Sequence, residues 1–223
     1  MSNTHTSLSL PSALLCDMDG VLVDSEALHW ESVLDTLRSL GALERHPAPL
    51  PRVGWGDHDL WREYQQTYQL SECPLTLTER RSRFAEARLK ASPPPHIKGS
   101  LEGLLALKII APSLPIAVVS ASPLEQMRLS LRGYGALFEF LLSGVDDCEQ
   151  NKPSPEPYLR AAERLGVPLS ACWVVEDSPT GLSAALAGGA QVWCLGSEEG
   201  TAPLLPQCLG QLSSLLELSE RLA

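Results

Sequence analysis

The chain has 223 residues, 44% of them hydrophobic and 20% charged, with a formal net charge of −10. That length carries one core, or a core domain with a smaller insertion, and the composition is that of a globular protein. The acidic balance excludes a nucleic-acid surface, which needs a basic patch, and no apolar run reaches membrane-spanning length.

The six cysteines, Cys16, Cys73, Cys148, Cys172, Cys194 and Cys208, form no C-x-x-C pair, so neither a zinc nor a redox motif is expected. The stretch Met1 to Thr6 lacks a basic region ahead of an apolar run, so no secretory leader is expected. The expectation is a reduced, cytoplasmic monomer.

Ala13 to Cys16 is a short apolar run that reads as a buried strand, ending in Asp17 and Asp19. Side chains alternate along a strand, so the two acids are expected on one face, with Met18 opposed. Gly20 allows a sharp turn where a side chain would obstruct it. Helical spacing of Leu28, Val33, Leu34, Leu37 and Leu40 predicts a helix from about Ser25 to Leu40. His29 reads first as a solvated residue of that helix; its nearness in sequence to the acidic turn also makes it a candidate substrate contact.

Pro47, Pro49 and Pro51 interrupt regular structure, and Arg52 to Asp59 reads as a polar, aromatic loop leading into a helix at Leu60 to Tyr64. Thr76 and Glu79 fit a capping box ahead of a charged helix running to Lys90, whose arginines read as a solvated face. Ser92 to His96 reads as a stiff return. Residues 25–92 are therefore expected to form an all-helical insertion between segments 1–24 and 93–223.

Beyond it the pattern alternates. Helices are expected at 101–110, 123–132, 155–165, 179–187 and 212–222, and strands at 115–120, 138–142, 171–176 and 191–195. Alternation of this kind implies an α/β fold: a three-layer, Rossmann-like parallel sheet with helices on both faces. Ligands in such sheets gather at the carboxyl ends of the strands. Those ends carry Asp17 and Asp19, then Ser120 followed by Ala121, then Glu176 and Asp177, with Lys152 between them ahead of a helix. Carboxylates converging without His or Cys make a hard oxygen site suited to Mg²⁺. The Ser120 hydroxyl, helix-terminal N–H groups and the Lys152 ammonium suit phosphate oxygens. Phosphoryl transfer needs mainly alignment and charge neutralisation, with one aspartate as nucleophile and the other as acid/base.

Four stretches carry a family resemblance: Asp17 to Glu26, Val118 to Ser120, Lys152 to Tyr158 and Val175 to Gly181. In this order the sequence resembles the haloacid dehalogenase superfamily, in particular its β-phosphoglucomutase-like branch with a helical cap. The resemblance implies Asp17 as nucleophile, Asp19 as general acid/base, and Ser120 and Lys152 as phosphoryl ligands. It also implies Mg²⁺ held by Asp17, the Asp19 carbonyl and Asp177, with Glu176 a direct or water-mediated partner. Similar mutases carry a cap-loop arginine for a second phosphate. Here Asp57 stands at that place, after Gly54 and Trp55, and an acid would repel a second phosphate. The expectation is a phosphatase of a small phosphorylated metabolite, a sugar or polyol phosphate, with Trp55, Asp57 and His58 as specificity candidates and cap closure over the substrate. A phosphosugar mutase is the alternative, since Arg52 could supply the charge; a signalling receiver or a non-catalytic protein ranks lower.

Overall fold

Short runs of apolar residues with alternating faces build the sheet in the computed structural model, which describes residues 9–51, 56–196 and 200–222. The strands are β1 (Ala13–Cys16), β2 (Ile116–Ser120), β3 (Leu141–Ser143), β4 (Cys172–Glu176), β5 (Gln191–Leu195) and β6 (Gly210–Leu212), all parallel, in the order β3-β2-β1-β4-β5-β6. The order runs outward from β1 in one direction and from β4 in the other. A crevice between those two strands is where a doubly wound sheet accepts ligands.

Alternation divides the core in two. Leu14, Cys16, Ile116, Val118, Trp173, Val175, Trp193 and Leu195 pack on one face with α5 (Ser100–Ile110), α6 (Leu124–Ser130) and α9 (Leu215–Glu220). Ala13, Leu15, Ala117, Val119, Cys172, Val174, Val192 and Cys194 pack on the other with α7 (Glu156–Leu165) and α8 (Pro179–Ala187). Each fully buried Leu or Val contributes about 1.5–3 kcal/mol, so this two-sided burial is the main force holding the three layers.

The chain divides into two compact units, Met1–Asp24 with Pro95–Ala223, and Ser25–Pro94. Among the described residues the second is all helical: α1 (Glu26–Ser39), α2 (Ala42–Arg45), α3 (Asp57–Tyr68) and α4 (Pro74–Ala91). Its own core includes Val33, Leu37, Trp61, Tyr64, Tyr68 and Leu77. Arg88 donates to Asp35 at 2.7 Å and to Glu31 at 3.3 Å, so part of the basic α4 face joins α1 instead of facing water. The capping box at Thr76 is not where α4 begins. Pro74 occupies its first turn with Cys73 as N-cap, because a proline there loses no helical hydrogen bond.

The first strand ends as expected, and two further expectations shift. β1 stops at Cys16, and Asp19 lies in a turn in which Leu22 and Val23 N–H both donate to the Met18 carbonyl. Met18 is buried with Leu14 and Cys16, as alternation continued past β1 predicts, and Gly20 (φ +81°) closes the turn after Asp19. β3 is displaced to 141–143, in register with Val118 to Ser120. The helix expected at 212–222 is interrupted at its start, since Leu212 pairs with Leu195 in the sheet and the helix restarts at Leu215.

That restart is a capping arrangement. Ser214 Oγ accepts from Glu217 N at 3.2 Å, while Glu217 accepts from Ser213 N at 2.8 Å. The Ser213 N–H, then Arg221, lower the Glu217 carboxyl to about 2. A depressed acid adds stability above its unfolded pKa of about 4.3 and loses it as pH falls towards 2. Glu217→Gln should therefore cost about 0.5–1.5 kcal/mol at pH 7, a deficit that closes near pH 2 in urea melts.

Candidate active site

Two strand ends and one loop deliver the charged groups. Asp17 continues directly from β1, its N–H donating to Val175 O at 3.0 Å, so its position is locked to β4. Glu176 ends β4 fully buried, and Asp177 follows it. Lys152 comes from the loop before α7. Its backbone N–H is held by Asn151 Oδ1 at 2.8 Å, and Asn151 Nδ2 donates to Ala121 O at 3.1 Å. The Lys152 ammonium then donates to Asp17 Oδ1 at 2.5 Å, Glu176 Oε1 at 2.7 Å and Val119 O at 2.9 Å.

One ammonium is shared by two buried carboxylates, and that imbalance sets the electrostatics. Burial pushes the Asp17 carboxyl up to about 8; Lys152 opposes this, and the Glu176 and Asp19 charges add to it. Burial pulls the Lys152 ammonium down, but Asp17 and Glu176 outweigh it and hold the group above its ordinary range. Asp17 therefore needs a further positive charge to stay ionised at neutral pH. Asp17, Glu176 and Asp177 each offer an oxygen, and these lie within 4.8 Å of one another. The place is shaped for the acids: a Cβ at Gly20 would fall 1.8 Å from Asp177 Oδ2. An all-oxygen set of this density fits a hard divalent cation such as Mg²⁺.

Ser120 Oγ lies 3.4 Å from Asp19 Oδ2 and accepts from Ser122 N at 3.1 Å. Ala121 follows Ser120 with its side exposed and its carbonyl taken by Asn151. Asp17, Asp19, Ser120, Lys152, Glu176 and Asp177 thus gather at the carboxyl end of one sheet.

His29 and Asp57 belong to the helical unit and meet there through Arg81. The Arg81 guanidinium pairs with Asp57 Oδ2 at 2.9 Å and approaches His29 Nδ1 at 3.4 Å. Repulsion of a second phosphate by Asp57 therefore loses its force, because an adjoining cation offsets the charge. His58 is exposed beside Asp59. Trp55, with Arg52 and Gly54, lies outside the described residues.

Several contributors escaped sequence reasoning. Ser122 Oγ donates to Asp19 Oδ2 at 3.1 Å, and Ser143 Oγ donates to the Ser122 carbonyl at 2.8 Å. Tyr158 donates to Glu176 Oε1 at 2.6 Å, and Ser178 Oγ to Glu176 Oε2 at 3.2 Å. Ser122 had only a helix start as its signal, while Tyr158 and Ser178 stood inside the stretches Lys152 to Tyr158 and Val175 to Gly181 with no role attached. Arg81 was submerged in a run of like charges.

The fold is a doubly wound α/β sheet, with this acid–lysine cluster gathered at the carboxyl ends of β1 and β4. Residues 11–189 match the model of the haloacid dehalogenase-like hydrolases, and the chain belongs to that family. A phosphorylated carbohydrates phosphatase of Thermotoga maritima is 31% identical, covering 79% of this chain and 81% of that protein. Protein SUPPRESSOR OF QUENCHING 1, chloroplastic, of Arabidopsis thaliana is 30% identical over 79% of this chain, which spans only 17% of that protein's length. The crystal structure of a HAD family hydrolase from Deinococcus radiodurans, with bound phosphate and sodium, superposes with a TM-score of 0.70 at 27% identity, covering 93% of each chain.

Proposed function

We propose that this chain is a Mg²⁺-dependent phosphatase of a small phosphorylated metabolite, a sugar or polyol phosphate, working through an aspartyl-phosphate on Asp17. Phosphatase chemistry as a class follows from the family and from its relatives named as phosphatases. The single observation that carries the finer reading is the Asp17–Lys152–Glu176 cluster with Asp177 beside it, at the one crevice where the strand order reverses. The carbohydrate phosphatase relative supports the substrate class, and the phosphate-bound hydrolase supports the anion site.

Asp17 attacks phosphorus and the bond to the leaving oxygen breaks. Asp19, held by Ser122, protonates that oxygen and then takes a proton from the water that cleaves the aspartyl-phosphate. Lys152 and Ser120 orient and neutralise the transferring oxygens. Mg²⁺ would be held by Asp17, Asp177 and the Asp19 carbonyl, with Glu176 adjacent, and supplies positive charge that keeps Asp17 ionised. The Ser25–Pro94 unit serves as the cap, with His29, Asp57 and Trp55 as its candidate substrate residues.

The pairing of Asp57 with Arg81 keeps a phosphosugar mutase as a second reading, since no bare acid opposes a second phosphate. We further take the protein to be a cytoplasmic monomer with no nucleic-acid or membrane partner. Its six free cysteines suit a reducing compartment, and among the described residues no helix is long and apolar enough to cross a membrane.

A panel of phosphorylated metabolites assayed for released phosphate tests this. Sugar or polyol phosphates should be hydrolysed with Mg²⁺, and EDTA should cut the rate by at least about 10³-fold. Turnover that persists after chelation would remove the metal from the proposal. Conversion of β-glucose 1-phosphate to the 6-phosphate with a bisphosphate activator, without net phosphate release, would favour the mutase.

A further inference from the structure

We propose that Tyr158 is a positioning residue: its hydroxyl commits Glu176 to the Lys152 ammonium, which aligns that ammonium and leaves Asp17 and Asp177 as the carboxylate ligands of the cation. The kinetic arm of this inference rests on the phosphatase reading; its geometric arm does not.

The contacts around Glu176 leave little freedom. Oε1 accepts from Tyr158 OH at 2.6 Å and from Lys152 Nζ at 2.7 Å. Oε2 accepts from Ser178 Oγ at 3.2 Å. A Cβ at Gly181 would come 1.8 Å from Oε1, so the first turn of α8 closes tightly over the carboxylate. Both oxygens are therefore engaged by protein donors, although the carboxylate stands near enough to Asp17 and Asp177 to share a cation with them.

Tyr158 acts on the ammonium twice. Its ring centre lies 4.8 Å from Lys152 Nζ, within reach of a cation–π attraction, while its hydroxyl holds the oxygen to which the ammonium donates. The remaining two donors of Lys152 go to Asp17 and the Val119 carbonyl, so all three N–H bonds have a direction. Tyr158 itself is fully buried on α7 among Leu15, Val119 and Val174, which fixes its ring. Without the hydroxyl, Glu176 Oε1 has only Lys152, while Oε2 keeps its Ser178 donors; the oxygen that directs the ammonium is then less firmly placed, and the carboxylate stays off the cation. Lys152 then divides its time between two acids.

Tyr158→Phe keeps ring and volume and deletes one donor. It should lower kcat about tenfold with KM within about twofold, because alignment of a charge-stabilising group is felt mainly in the transition state. The Mg²⁺ concentration giving half of the maximal thermal stabilisation should stay within about twofold of wild type, whereas Asp177→Asn should abolish that stabilisation. In ¹⁵N-lysine-labelled protein, the protected ammonium resonance that disappears in Lys152→Met should broaden or shift in Tyr158→Phe. Tyr158→Leu, which removes the ring as well, should perturb that resonance more. An unchanged resonance with kcat within twofold of wild type would overturn the inference. So would loss of the Mg²⁺ stabilisation in Tyr158→Phe, or a midpoint displaced by more than about tenfold, since Tyr158 would then act through a metal ligand. A wild-type protein that hydrolyses no phosphate ester, with the ammonium resonance still altered in Tyr158→Phe, would refute the phosphatase reading and leave the positioning role standing.

Discussion

Asp17→Asn should abolish phosphate release, by at least about 10⁴-fold, while the protein stays folded. An amide of nearly the same shape cannot form the acyl phosphate, and no other acid takes its place: Asp19 is engaged with Ser120 and Ser122, and Glu176 with Tyr158 and Lys152. The fold tolerates the change because Lys152 keeps its bonds to Glu176 and the Val119 carbonyl. The pH dependence has a defined sign. Burial raises the Asp17 carboxyl from 3.8 to about 8, so the protonated form is favoured by folding. That contribution is fully present below the unfolded value and is lost as pH climbs through about 8. In EDTA, the asparagine variant has no such proton to lose, so its melting temperature should rise relative to wild type between pH 4 and 8. Near-normal turnover in this variant would sink the nucleophile assignment, and a melting difference that does not change with pH would sink the electrostatic account.

Lys152→Met should produce the largest loss of stability at the site. The ammonium is 5% exposed, against 10% for Asp17 and none for Glu176, so its removal strands two carboxylates away from water. Breaking a buried pair in this way costs about 3–5 kcal/mol. The deficit should be greater at pH 8 than at pH 5 in chelated protein, because protonation of the stranded acids relieves it. Urea denaturation at the two pH values measures this directly. On the role proposed for Lys152 at the transferring oxygens, its loss should also reduce kcat/KM by about 10²–10³-fold. A variant within 1 kcal/mol of wild type at pH 8 would mean that the acids are solvated, contrary to their burial.

Much of this protein was legible in one dimension. Apolar runs of four or five residues at Ala13, Ile116, Cys172 and Gln191, separated by helical spacings, already imply a parallel sheet, because burial on both faces demands unbroken hydrophobicity. The chemistry-bearing residues also announce themselves, since strand ends in such a sheet are where side chains leave the core. β6 was not legible. Gly210 to Leu212 is too short to show a period, and it pairs only because Trp193 to Leu195 offers it an open edge.

Only tertiary structure decided how those residues are used. Lys152 meets Asp17 across 135 positions of chain, and Tyr158 reaches Glu176 across 18, distances over which no local pattern carries information. Arg81 looks like any solvated helix cation until Asp57 and His29 arrive beside it. Residue types and their order set which groups reach the crevice, because periodicity decides what is buried. Charge state and partnership depend on distance and on the exclusion of water, and those exist only once the chain has closed on itself.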